Sequence, residues 1–199
     1  MRTSAVLCML AACLLLATPM MAADARNIIR GGVVNSMPTG DYSDMGLTIE
    51  ADSAMGLGIA YERKITDLIG VNFDLAWTNH DVKVKGRGLD VKFGEGAMMP
   101  LTIAALFHPL KQGTVDYYIG PAFSYVMYDD FSIDSQFRSL LGTSGFSVDN
   151  EFTWALQTGA DIKFNDTWGL SLDLKYIQTS AEDLDINPFN FCVGVAARF

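Results

Sequence analysis

The chain has 199 residues, one domain by length, with a formal net charge of −9 and 11% aromatic residues. That acidic balance excludes nucleic acid as a partner. Beyond residue 23 no stretch reaches the ~18 consecutive apolar residues of a helical transmembrane span, so any membrane crossing in the mature chain is by strands.

The N-terminus reads as an address. Arg2 precedes an apolar core from Ala5 to Ala17, and Pro19, Ala22 and Ala23 supply a small-residue cleavage zone. A signal peptide over 1–22 is expected, with cleavage after Ala22 or Ala23 and a barrel domain over 23–199. Leu10-Ala11-Ala12-Cys13 looks like a lipobox, but the apolar run continues through Leu14, Leu15 and Leu16, which favours an ordinary signal. Cys8 and Cys13 leave with it. Cys192 alone remains, which excludes an intramolecular disulfide and a cysteine-built metal site. Cys192 reads as a small inward packing residue, and no metal or cofactor is expected.

After the signal the chain alternates strand patterns with breakers. Asn27 to Asn35 is the first strand, with Arg30, Gly32 and Val34 on one face. Met37-Pro38-Thr39-Gly40-Asp41 ends it, and a polar loop carrying Asp41, Asp44, Glu50 and Asp52 follows. Ala54 to Arg63 sets Met55, Leu57, Ile59 and Tyr61 against a small and polar row. After the turn 64–67, Val71, Phe73, Leu75 and Trp77 oppose Asn72, Asp74, Ala76 and Thr78. Residues 79–97 read as a long charged loop. Met98 to His108 is the fourth strand, Tyr117 to Tyr128 the fifth and Phe152 to Phe164 the sixth. The loop 129–150 between the last two has room at Ser135 to Leu141 for one helical turn or two. Asn165-Asp166-Thr167 turns the chain into Trp168 to Tyr176, whose outer row is Trp168, Leu170, Leu172, Leu174 and Tyr176. A loop over 180–187 leads to the eighth strand, Phe189 to Phe199.

Strict period two with large apolar rows is a strand pattern, and aromatic residues at the ends of a row suit the two interfaces of a bilayer. Tyr61, Trp77, Trp168, Tyr176 and Phe199 are the expected interface aromatics. Each strand approaches the ~9–11 residues that a tilted crossing needs. Connections alternate long and short, the outer-membrane layout, and an even strand count returns both termini to the periplasm. The expected fold is therefore all-β: an eight-stranded antiparallel transmembrane up-and-down barrel, closed because an open edge in lipid leaves backbone groups unsatisfied.

With the apolar rows facing lipid, the inward charges are Arg30, Glu62, Asp74, Asp161, Lys163, Asp173, Lys175 and Arg198. Equal numbers of each sign in a barrel just wide enough for side chains to fill suggest a paired plug and not an ion path. Nearer the loops the inward residues are Ala54, Gly56, Ala76, Met98, Val126, Tyr128, Ala155 and Ile177, with Cys192. Two readings stay open for them: an apolar funnel that admits a small hydrophobic solute and releases it sideways, or small residues that merely avoid overpacking.

The segment Phe152-Thr-Trp-Ala-Leu-Gln-Thr-Gly-Ala-Asp161, the turn to Trp168, the run Asp173-Leu-Lys-Tyr-Ile177 and the ending Asn187-Pro-Phe-Asn-Phe with Gly194-Val-Ala-Ala-Arg-Phe199 resemble the OmpW family of small outer-membrane barrels. Residues 98–125 fit less tightly, and the polar first loop departs from the family pattern. Terminal Phe199 resembles the end signal of chains inserted by the barrel assembly machinery. The resemblance implies an eight-stranded barrel in the outer membrane of a Gram-negative bacterium, among lipid and lipopolysaccharide, with a hydrophobic lumen admitting small hydrophobic compounds.

Other chemistry is weaker. A lipid-modifying enzyme needs a histidine with a serine or carboxylate in reach, and only His80 and His108 exist. They fall at opposite ends of the barrel and read as solvated rim residues, so no catalytic residue is assigned and the chain is not expected to be an enzyme. Gly86-Arg-Gly88 and Gly94-Glu-Gly96 lack the GK[ST] of a phosphate loop. Lys83, Lys85, Arg87 and Lys92 are candidates for lipopolysaccharide phosphates, and the loop acids read as solvated. A structural or adhesive surface barrel with a filled lumen is the alternative function.

Overall fold

The structure, a computed structural model, describes residues 26–199 apart from 45, 87, 110 and 182–183. The expected signal peptide, residues 1–22, lies outside the described residues. The wall consists of β1 (Asn27–Met37), β2 (Ala54–Lys64), β3 (Ile69–Gly86), β4 (Leu89–Phe107), β5 (Val115–Tyr128), β6 (Glu151–Lys163), β7 (Trp168–Ile177) and β8 (Phe189–Arg198). Each pairs antiparallel with its neighbours in sequence, and β1 pairs β8 from Ile28↔Arg198 to Met37↔Phe189, so the sheet closes into an eight-strand ring. Asn27 and Phe199 seal the joint with reciprocal backbone hydrogen bonds of 3.0 Å.

Strand parity sorts the residues as the period-two reading expects. Outward Phe152, Met55, Leu57 and Phe123 are 63–73% exposed, while inward Glu62, Val126, Asp161 and Ile177 are fully buried. An apolar outside over a charged inside is stable only where lipid solvates the outside. The short turns are locally coded. Asn165 Oδ1 accepts from the Thr167 and Trp168 amides at 2.9 and 2.7 Å, and Thr66 Oγ1 accepts from Leu68 and Ile69 at 3.2 and 3.0 Å.

The loop side differs from expectation. β3 and β4 are 18 and 19 residues long, so residues 79–97 are mostly a strand extension above the membrane and not a loop. Val82, Val84 and Val91 alternate there with lysines and suit a ribbon wetted on both faces. Within the expected polar loop, Asp41–Asp44 pairs Leu47–Ala51, which in turn pairs β3 from Thr48↔Lys85 to Ala51↔Val82. In the longest loop Phe131–Ile133 pairs β4 at Gly94 and Glu95, and α1 (Ser135–Leu141) follows. Asp134 caps α1 by accepting from the Gln136 amide at 3.1 Å, and Gly142 closes it at φ 69°.

Besides a register shift at Val82/Lys83 in the extension, the described wall has two ladder breaks, both beside β4. Pairing of β3 with β4 stops at Leu75↔Leu101 and resumes at Thr78↔Met98, leaving Ala76 and Trp77 opposite Pro100 and Met99 without a ladder. Pairing of β4 with β5 stops at Ala104↔Ala122 and resumes at Phe107↔Ile119, across from Pro121. Proline has no N–H to give, so each break falls where the sequence places one.

Candidate functional site

The lumen has two storeys. The lower is an alternating chain of charge. Arg30 donates to Glu62 at 2.6 Å through Nη2, and to Asp161 at 2.9 Å through Nη2 and 3.1 Å through Nε. Arg198 Nη2 lies 3.2 Å from the same Asp161 carboxylate. On the other side His108 Nδ1 hydrogen-bonds Asp116 at 2.9 Å, and its Nε2 lies 2.9 Å from Glu62. Lys64 closes that end by pairing with Asp116. The Arg30 guanidinium also sits over the Tyr118 ring, 4.8 Å from its centroid. Just above, Asp173 accepts from Tyr118 OH at 3.0 Å and from Gln157 Nε2 at 2.7 Å, and Lys175 pairs with Asp74. Each charge has an opposite neighbour, which is what burial in a narrow lumen requires.

Seven of the eight expected lumen charges thus meet partners. Lys163 is half-buried and joins none of the ion pairs among the described residues. Lys64, His108, Asp116, Tyr118 and Gln157 belong to the network and were missed. His108 is completely buried between two carboxylates, contrary to its reading as a solvated rim residue. The signal was available: inward parity continued one or two residues past each expected strand end includes Lys64 and Asp116.

The upper storey is mostly apolar, with Thr78, Thr102, Ser124 and Thr179 buried among its side chains. Met98, Val126, Ala155 and Ile177 pack with Ala104, Leu106, Tyr118 and Ala122 into one buried cluster, with Tyr128 against it. Ala54 and Ala76 are buried as well, and Gly56 is half-buried. These side chains fill their level rather than lining an open mouth. Between the storeys lies a cavity of about 30 Å³ whose walls include Ala76, Asp74, Lys175, Ser171, Asn190 and Cys192. Ala76 also stands at the upper ladder break, so cavity and break adjoin. On the outside Trp77, Trp168 and Phe199 are well exposed, and Tyr61 and Tyr176 half-exposed.

At the rim His80 corrects a second expectation. It is buried, and the parity of the extended β3 turns it inward, two residues above Thr78. Thr78 Oγ1 lies 3.0 Å from its Nε2, and its Nδ1 lies 2.8 Å from the Asp52 carbonyl oxygen. A neutral ring donating from Nδ1 and accepting at Nε2 satisfies both contacts. Burial lowers the His80 pKa below its usual value, partly offset by the Asp52 carbonyl. Outside, Lys83 pairs with Asp52 at 2.7 Å, Lys85 with Glu50, and Lys92 with Asp81 at 2.7 Å and Glu95 at 3.1 Å. These three lysines, expected to face lipopolysaccharide, are held by neighbouring acids that raise their pKa values. Arg87 lies outside the described residues.

A closed antiparallel ring with an apolar belt outside and paired charges inside defines an outer-membrane β-barrel protein. The chain belongs to the OmpW family, whose model matches residues 25–199. Among curated relatives it is 26% identical to outer membrane protein W of Vibrio cholerae, covering 86% of this chain and 88% of that one. It is 29% identical to an uncharacterized outer-membrane protein, y4mB, of Sinorhizobium fredii, over 84% of this chain and 73% of the other. Among solved structures it is similar to the outer membrane protein OprG of Pseudomonas aeruginosa, with a TM-score of 0.77 at 22% identity over 87% of this chain and 95% of that one. The protein is therefore placed in the outer membrane of a Gram-negative bacterium.

Proposed function

We propose that this barrel passes small hydrophobic molecules from outside into the outer leaflet of its own membrane, without catalysing a reaction. One observation carries the reading: the upper ladder break adjoins the lumen cavity at Ala76, above a charged floor that bars passage straight through. A solute entering from above would displace Met98 and Ile177, reach the cavity, and leave sideways between β3 and β4 beside Trp77. Met98 is unbranched and adaptable, which suits a group that must move aside. The signal peptide would deliver the chain to the periplasm, and Phe199 would present it to the barrel assembly machinery.

The test is uptake of matched apolar and polar solutes by vesicles whose outer leaflet is lipopolysaccharide, the barrier that apolar molecules otherwise fail to cross. Pro100→Val is expected to restore the ladder and stop apolar uptake while the barrel still folds. Ala76→Trp is expected to stop it by filling the cavity. Unchanged uptake in both variants rejects the lateral route. The packed upper storey also favours a second reading, a filled structural or adhesive barrel, for which no variant would alter uptake because none occurs.

A further inference from the structure

The cavity between the storeys has a hydrogen-bonding inventory that does not balance. Its charged walls are already paired: Lys175 with Asp74, Arg30 with Glu62 and Asp161, and Asp173 with Gln157 and Tyr118. Of its neutral polar walls Gln157 is paired, and Asn190 and Ser171 are not. The Asn190 amide has neither its oxygen nor its nitrogen satisfied, and the Ser171 hydroxyl is also without a partner; each residue is only 4% exposed. Ser171, opposite Gly194, lies two inward rungs below Asn190, which is opposite Lys175. Buried polar groups in folded proteins are almost always hydrogen-bonded, so the unpartnered Asn190 amide facing a cavity marks an occupant. The space, about 30 Å³, has room for two waters or one hydroxymethyl end.

Chemistry narrows the occupant. A carboxylate entering here meets Asp74 and Asp173, and an ammonium meets Lys175 and Arg30, with no counter-charge left free for either. A neutral group that both donates and accepts matches Asn190, whose amide offers one of each kind of contact. Asn190 pairs in register with Lys175, two residues below Ile177 of the apolar cluster. A molecule with its polar end at Asn190 therefore has its chain among apolar side chains.

Building on the proposed passage of hydrophobic molecules, we infer that Asn190 forms a head-group site that selects amphipathic molecules with a neutral hydroxyl end, such as medium-chain primary alcohols, over hydrocarbons and over charged chains of equal length. The site holds the polar end at the boundary of the storeys, next to the wall break, while the chain occupies the upper lumen.

The test uses the mature protein in lipid nanodiscs, titrated separately with 1-octanol, octane, octanoate and octylammonium. The Asn190 side-chain amide and the Ile177 methyls are followed by NMR. Octanol is expected to shift both, octane the Ile177 methyls alone, and the charged chains neither. In Asn190→Leu and, independently, Asn190→Ala, apparent octanol affinity at Ile177 is expected to fall toward that of octane, about tenfold for loss of the amide contacts. Equal response of the Asn190 amide to octane and octanol, or octanol affinity unchanged in both variants, overturns the head-group site while leaving hydrocarbon passage intact. Silence of the Ile177 methyls toward every probe overturns both this site and the passage itself.

Discussion

The two storeys of the lumen are built from opposite kinds of interaction. Below, Arg30, Asp161, Glu62 and His108 hold one another at fixed distances and angles, and removing one leaves its partners charged and buried. Above, Met98, Val126 and Ile177 touch without direction, and another apolar group can replace any of those contacts. The wall follows the same division, since the upper ladder break opens beside Ala76 where the charge network ends. A lumen made this way is closed firmly at one height and adjustable at another. The difference teaches that a filled barrel is not uniformly filled: directional pairs make a floor, and apolar packing makes something displaceable.

The comparison is broken most severely at Asp161, which serves both Arg30 and Arg198. Asp161→Ala is expected to destabilise the barrel by about 3–5 kcal/mol, measured by urea unfolding in lipid vesicles, because two buried guanidinium groups lose their shared carboxylate. A loss below about 1 kcal/mol would mean that the floor is wet and its pairs are dispensable. Val126→Ala, one storey up, is expected to lose less, about 1–3 kcal/mol in the same assay, through the cavity it leaves. If the order of these two reverses, the division into firm and yielding storeys is wrong.

Pro100→Val sharpens the division at the wall. A restored N–H is expected to add about 0.5–1.5 kcal/mol of stability, with slower amide exchange at Ala76, which stands opposite position 100 across the break. Unchanged exchange at that amide would show that the break does not arise from the missing donor. A smaller effect is expected at the rim, where the His80 pKa is lowered in the fold. His80 therefore contributes stability that is full above its unfolded value of about 6.5 and is lost as pH falls through the lowered folded value. Amide exchange in Leu47–Ala51 is expected to accelerate over that acid range in the native chain and to lose the step in His80→Phe. The smallest effect is expected from Lys83→Ala, which breaks a half-exposed pair at the surface; its unfolding midpoint stays unchanged and its slight influence vanishes in high salt.

Much of this was legible from residue type alone. The alternation in Trp168 to Tyr176 assigned every side chain to lipid or lumen, and burial agrees along β7 and β8. Strand ends were less legible. Residues 79–97 carry charge and glycine, which read as loop, but above the membrane a strand needs no apolar face and its charges can pair along the ribbon. His80 was misplaced for that reason, and His108 because its partners Glu62 and Asp116 stand on other strands. Pro100 and Pro121 were visible, yet which ladder each would break depended on register.

By itself the sequence determined that this chain crosses an outer membrane as a closed eight-strand barrel, and which residues of the strands it delimited face inward. Both follow from local physics: period two sorts the side chains, and lipid permits no unpaired edge. Only the tertiary structure decided which inward residues meet. Arg30 and Asp161 are 131 positions apart in the chain, and the stagger of strands around the ring sets their common height. The same stagger leaves Asn190 unpartnered beside a cavity, and brings that cavity to a break in the wall.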